Sequence, residues 1–187
     1  MGSSAEERRF RVLFETEARG VLGYALRRVA DREDAADVVA ETFSVAWRRI
    51  GDVPAEPESR LWLYGVARRI LANQRRGALR RARLADRVRD ELRLTAQAAA
   101  VSPDRDDRSQ AVRDAVAGLP EQDREVLLLA NWEGLTPAEI AVVVGIPPAT
   151  VRTRLHRARG RVRTALELSG HMTIGAVASQ TPNGEAR

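Results

Sequence analysis

Leu135-Thr136-Pro137-Ala138-Glu139-Ile140 and, shortly after, Gly145-Ile146-Pro147-Pro148-Ala149-Thr150-Val151-Arg152-Thr153-Arg154-Leu155-His156-Arg157 spell two helices and the turn between them. Thr136 and Glu139 have capping-box spacing, and Pro137 takes the first helical position, where a missing N–H costs nothing. Gly145 suits a left-handed residue that closes the first helix. Pro147-Pro148 prevents continuation and sets the start of the second helix. In that second helix Val151, Leu155, Ala158 and Val162 share one face and are expected to pack on Ile140 and the helices before it. Thr153, His156, Arg157 and Gly160 point away, with Arg152 and Arg159 on the flank. An ordinary amphipathic hairpin with solvated arginines explains the charges alone. It does not explain why caps, turn, apolar face and basic face agree in one short window. That agreement predicts a DNA-binding helix-turn-helix, whose guanidinium forks and hydroxyl suit base edges and phosphates.

The rest of the 187-residue chain is compatible with a partner of that kind. Net charge is +5, which favours a polyanion, though acidic and basic segments are mixed. Every one of the 31 basic residues is Arg, the pattern a GC-rich coding sequence produces. No cysteine is present, which excludes disulfides and thiolate metal sites and points to a reducing, cytoplasmic setting. No apolar run approaches a bilayer span, and Ala5 to Arg11 is charged where a secretory signal needs apolar residues. Neither membrane insertion nor export is therefore expected. No P-loop, Gly-rich dinucleotide turn, HExxH sequence or convincing Ser-His-Asp set occurs, and the two histidines lie in no ligand-like cluster. The sequence predicts no enzyme, no cofactor and no metal.

Strand signals are nearly absent and helical periodicity recurs, so the expected class is all-α. A first helix is expected from about Glu6 to Val29, carrying Phe10, Leu13, Phe14, Val21, Leu22 and Leu26. A second starts near Asp31 and reaches about Ile50. Two prolines then break the pattern between Gly51 and Pro57. A third starts from a Ser59 N-cap and passes Arg76, with Gly77 a candidate end or interruption. Periodicity fades from Thr95 to Gln110, a linker signature around Ser102-Pro103-Asp104. It returns with Val112, Val116 and Leu119, and Pro120 precedes a helix bearing Val126 to Leu129. The organisation predicted is two small helical domains, 6–93 and 111–168, joined by a flexible linker over 94–110. A polar tail over 169–187 is expected to be frayed.

The second helix is two-faced. Val39, Phe43, Ala46 and Ile50 form its expected buried stripe. Asp34, Asp37, Val38 and Glu41 are spaced to share another surface, and the early acids also suit the helix N-terminus. Asp37 and Glu41 lie too deep for that explanation, which makes an acidic docking surface for a basic partner plausible. The third helix is expected to bury Leu63, Val66, Ala67 and Ile70. Arg68, Arg69, Arg75 and Arg76 lie towards the other side, with Trp62, Tyr64 and Asn73 nearby. Basic, aromatic and amide groups so interleaved suit DNA backbone and unstacked bases, though Trp62 and Tyr64 suit a core or its edge equally well.

Two blocks now resemble a known family. Asp34 to Trp47, centred on Asp37-Val38-Val39-Ala40-Glu41-Thr42-Phe43, resembles region 2 of bacterial sigma-70 factors of the extracytoplasmic-function (ECF) group. Leu119-Pro120 to Arg159 resembles region 4, through Leu128, Gly134, Glu139-Ile140-Ala141, Gly145, Thr150-Val151-Arg152 and Leu155-His156-Arg157-Ala158-Arg159. The likeness spans about Phe10 to Leu166. It implies a sigma factor that binds core RNA polymerase and directs promoter recognition and transcription initiation. Region 2 would dock on the clamp helices of the largest subunit through Asp34, Asp37, Val38 and Glu41. It would also read the −10 element through Trp62, Arg68, Arg69, Asn73 and Arg76, trapping a flipped base near the Asp52 to Ser59 loop. Arg69 stands where the family often has Asn, so its base preference does not carry over, and Glu56 and Glu58 are awkward neighbours for phosphate. Region 4 would read the −35 element through Arg152, Thr153, His156 and Arg157 and dock on the polymerase flap. The family also admits an anti-sigma factor as a partner. Seventeen linker residues, 94–110, extend to at most roughly 60 Å, against about 34–36 Å for one turn of DNA. The rival reading is a dimeric helix-turn-helix regulator that binds a palindrome alone.

Overall fold

The computed structural model describes residues 4–92 and 107–169. Among these, every regular element is helical. The order is α1 (Ser4–Leu26), α2 (Arg32–Arg48), a 3-10 turn (Ile50–Asp52), α3 (Glu58–Leu92), α4 (Asp107–Ala117), α5 (Glu121–Asn131), α6 (Pro137–Val144) and α7 (Pro148–Leu168). Helices α1 to α3 form one bundle, and α4 to α7 form a second. Residues 94–106 of the expected linker lie outside the described residues, as does the tail after Ser169. The last four linker positions, 107–110, already belong to α4.

Local chemistry accounts for most boundaries. Asp31 caps α2, its carboxylate accepting from the Glu33 and Asp34 amides at 2.7 and 3.2 Å. Helix α1 stops at Leu26 because the Ala25 carbonyl accepts from both Arg28 N–H and Val29 N–H, which tightens the chain into a turn. Ser59 is not an N-cap: α3 begins at Glu58, and the Ser59 side chain is buried inside its first turn. Gly77 does not interrupt α3, which continues to Leu92.

The capping box of α6 is present in both directions. Thr136 Oγ1 accepts from the Glu139 amide, and the Glu139 carboxylate accepts from the Thr136 amide at 2.7 Å. Gly145 follows at φ 74°, the left-handed conformation that favours glycine. Pro147 and Pro148 then open α7.

In the first bundle, Leu63, Val66, Ala67 and Ile70 of α3 meet Phe43, Ala46 and Ile50 in the core, with Val39 half-buried beside them. Of the six apolar α1 residues read from the sequence, Leu13 and Val21 are buried and Phe10 is half-buried, while Tyr24 and Ala25 complete the buried face. Phe14, Leu22 and Leu26 remain exposed, and Phe14 joins Phe10, Phe43 and Trp47 in an aromatic cluster. In the second bundle Val126, Leu129, Ile140, Val143, Val151 and Leu155 are buried. A smaller apolar group of Leu119, Leu127 and Ala158 gathers Val116 and Val162.

The two bundles lie against each other. Helix α6 packs on α3, and the larger apolar core runs from one bundle into the other. A Cβ placed on Gly65 of α3 would stand 3.9 Å from the Val143 carbonyl of α6. The sequence announces two helical units and a linker, and nothing in its periodicity announces this packing.

Thr136→Ala removes the hydroxyl that accepts from the Glu139 amide and is expected to destabilise the fold by about 1 kcal/mol, read as a lower urea midpoint. Hydrogen bonds from the Thr136 hydroxyl and amide hold the Glu139 carboxyl below its ordinary range. Its contribution is therefore complete above the usual glutamate pKa and is lost as pH falls through the lower folded value. Urea midpoints measured across that acid window should fall for the native chain, and the Glu139→Gln variant should lack this component.

Candidate nucleic-acid interface

Helix α7 presents the outward face that its sequence predicts. Val151, Leu155 and Ala158 are buried, while Arg152, Thr153, His156 and Arg157 are exposed along one side. Thr153 Oγ1 donates to the Ala149 carbonyl at 3.1 Å, which leaves its lone pairs free to accept from outside. Arg159 and Gly160 continue the exposed strip, and Arg154 turns half inward. Contact with the first bundle leaves this face open, so its donors stand ready for an anion or a groove edge.

On α3, Arg69, Asn73 and Arg76 are exposed and Arg68 is half-buried. The Asn73 side-chain carbonyl accepts from the Arg76 guanidinium, which ties two of the expected DNA-facing groups together. Trp62 is half-buried and packs against the core. Tyr64, expected near this face, is a core residue: it is 4% exposed and its ring stacks on Tyr24 at 5.1 Å. Burial raises the Tyr64 phenol above its ordinary pKa. In the loop before α3, Asp52 accepts from Arg49 at 2.9 Å, and Glu56 and Glu58 are exposed.

On α2, Asp34, Asp37 and Glu41 form an exposed acidic strip. Val38, expected to share it, is wholly buried, so the surface available for docking excludes it. The reason is helical phase. Ala35, Val38 and Thr42 recur at three and four residues and face the core, and the acids lie one residue aside. Thr42 belongs to this inner face, its hydroxyl donating to the Val38 carbonyl at 2.6 Å.

A further polar group went unsignalled in the sequence. Tyr24 Oη donates to Glu125 at 2.8 Å, Arg28 reaches Glu125 at 3.1 Å and Glu133 at 3.2 Å, and Arg27 reaches Glu133 at 2.9 Å. The Arg28 guanidinium also lies 3.6 Å from the centroid of the Tyr24 ring. Burial pushes the Tyr24 phenol far above its usual pKa, so it stays a neutral donor. Glu125 sits against an apolar run and Arg27-Arg28 closes a helix, which in sequence suggests only solvated ends.

Among the described residues no group of acids and histidines has the arrangement of a metal site. No helix there is long and apolar enough to cross a membrane.

Comparison with known proteins places these surfaces in a family. The model of Sigma-70 region 2 matches residues 13–83, and that of Sigma-70, region 4 matches 109–162. The ECF RNA polymerase sigma factor SigL of Mycobacterium tuberculosis is 33% identical over 177 residues, spanning 90% of this chain and 94% of its own. The RNA polymerase sigma-H factor of Pseudomonas aeruginosa is 31% identical, over 87% and 88%. CarQ of Myxococcus xanthus, an RNA polymerase sigma factor, is 34% identical, over 88% and 91%. The fold is that of the sigma factor RpoE crystallised with the anti-sigma factor NepR from Bartonella quintana, at TM-score 0.64, 22% identity and coverage of 85% and 97%. CnrH in complex with the cytosolic domain of CnrY follows at TM-score 0.61 and 22% identity, over 87% and 90%. With both regions matched in order and relatives alike over nearly their whole length, the chain belongs to the sigma-70 family and is a sigma factor of the ECF group.

Proposed function

We propose that this sigma factor engages promoter and polymerase through three surfaces: the outer face of α7, the basic side of α3 and the acidic strip of α2. The observation that carries the reading is the exposed set Arg152, Thr153, His156 and Arg157, held outward on a helix whose start and phase are fixed by the α6 caps. In the major groove these side chains offer forked donors and a hydroxyl to base edges and phosphates of the −35 element. Trp62, Arg68, Arg69, Asn73 and Arg76 of α3 face the −10 element. There the arginines offset phosphate charge, and Trp62 with Asn73 receives an unstacked base. Asp34, Asp37 and Glu41 dock on the basic clamp helices of the largest polymerase subunit, and the second module docks on the flap.

On this reading the chain is not itself an enzyme and holds no cofactor. Core RNA polymerase performs the chemistry, in the cytoplasm, and this subunit supplies the address. The functional units are residues 6–93 and 111–168, and the segment between them lets each reach its own element. An anti-sigma factor is a natural partner, since solved structures of the same fold include a sigma factor bound to one. A stand-alone dimeric regulator would use α7 in the same way but leaves the acidic strip of α2 without a role.

Run-off transcription with core polymerase, with and without the chain, tests the whole reading: new start sites should appear only when the chain is added. Arg157→Ala should weaken recognition of the upstream element by about 1–3 kcal/mol if it makes one good base contact. Equal loss on a scrambled upstream element would instead mark a phosphate contact. Asp37→Arg with Glu41→Arg should reduce holoenzyme assembly while leaving the helical circular-dichroism signal intact, and unchanged assembly would remove α2 from the docking surface.

A further inference from the structure

Two side chains of α1 reach across to the segment that leads into α3. The Arg9 guanidinium donates to the Val53 backbone carbonyl. About two turns further along α1, the Glu17 carboxylate accepts from Arg60 Nε at 3.0 Å, in the first turn of α3. The segment between these points has ties of its own. Val53 is buried, Asp52 pairs with Arg49 at 2.9 Å, and the Ser59 amide donates to the Ala55 carbonyl at 3.1 Å. Pro54 to Glu58 stay exposed. That crest has little apolar burial to place it, so the polar ties at its two ends do so.

Glu17 is a costly residue for an inner position. It is 2% exposed, while the side chain of its partner Arg60 is 51% exposed. Desolvation of the carboxylate offsets much of the attraction, so such a pair contributes little net stability. What it does contribute is direction. One carboxylate oxygen fixes one guanidinium nitrogen, whereas an apolar contact would let the first turn of α3 slide or rotate. At 3.6 residues per turn, Arg60 and Trp62 stand about 200° apart round α3. The pair therefore holds that turn from behind while Trp62 faces the other way.

We infer that Arg9 and Glu17 are positioning residues for base capture: from α1 they set the entry of α3, and with it the angle at which Trp62 meets an unstacked base. The inference rests on the −10 role proposed above for Trp62 and Asn73. Both residues act through other groups, Arg9 through the Val53 carbonyl and Glu17 through Arg60.

The test is holoenzyme binding to single-stranded non-template oligonucleotides of the −10 region, taken from a promoter located by run-off transcription. Each intact strand is compared with copies that carry an abasic site at one position in turn. Wild-type holoenzyme should prefer the intact strand by about tenfold at one position, as loss of a stacked base predicts, and Trp62→Ala should abolish that preference. Arg9→Ala should abolish most of it, and Arg9→Lys, which keeps a donor, should restore it. The double variant Glu17→Met, Arg60→Leu leaves no unpaired buried charge. It should keep a urea midpoint close to wild type and still lose the preference; should it fail to fold, the Arg9 variants decide. A purely structural role would lower the midpoint and leave the ratio of intact to abasic binding unchanged. A phosphate contact would weaken both strands equally. Either result overturns the inference. If the wild type shows no preference at any position, or Trp62→Ala keeps it, the base-receiving role of Trp62 fails first.

Discussion

The arrangement of the molecule turns on one short helix. Helix α6 has eight residues, too few to persist by itself in water. Its existence depends on the burial of Ile140, Ala141 and Val143 against α5 and α7 on one side and α3 on the other. Burial of these side chains supplies stabilisation that the isolated helix lacks. The capping box and the left-handed Gly145 add no burial, but they fix where the helix begins and where it turns. From that turn follow the phase of α7 and the side on which Arg152, Thr153, His156 and Arg157 emerge. The same helix brings the second bundle onto the first, so it serves both the outward face of α7 and the packing between the bundles.

Charge is sorted by element. Along its middle α2 shows Asp34, Asp37 and Glu41 to solvent, while the exposed sides of α3 and α7 carry mostly guanidinium groups, and the net value of +5 conceals this division. A protein that meets both a basic protein surface and a polyanion needs the two potentials kept apart, since a mixed surface would attract neither strongly. The contact between the bundles sets acids from the second against arginines from the first.

What could be read from the sequence was local. The helix-turn-helix was legible because its signals are side-chain-to-backbone chemistry at fixed spacing: Thr136 with Glu139, Gly145, and Pro147-Pro148. The cores of α2 and α3 were legible as helical repeats. Val38 was misplaced because it belongs to the same helix phase as Ala35 and Thr42, and the acidic residues on either side obscured that phase. Ser59 looked like a cap, yet a cap is defined by which amides lie free beneath it, and α3 starts one residue earlier. The contacts of Tyr24 and Arg28 with Glu125 span about a hundred positions, and no periodicity encodes a pairing that distant. Such contacts depend on how two finished bundles meet, which single-chain patterns do not carry.

The three tryptophans fall on three different parts of the molecule. Trp47 closes the aromatic cluster at the end of α2, Trp62 borders the basic side of α3, and Trp132 stands 51% exposed next to Glu133. Indole emission shifts in colour with the polarity of its surroundings, and the three rings sit in different ones. The unmodified polypeptide therefore carries its own optical reporters, with Trp47 and Trp62 in the first bundle and Trp132 in the second.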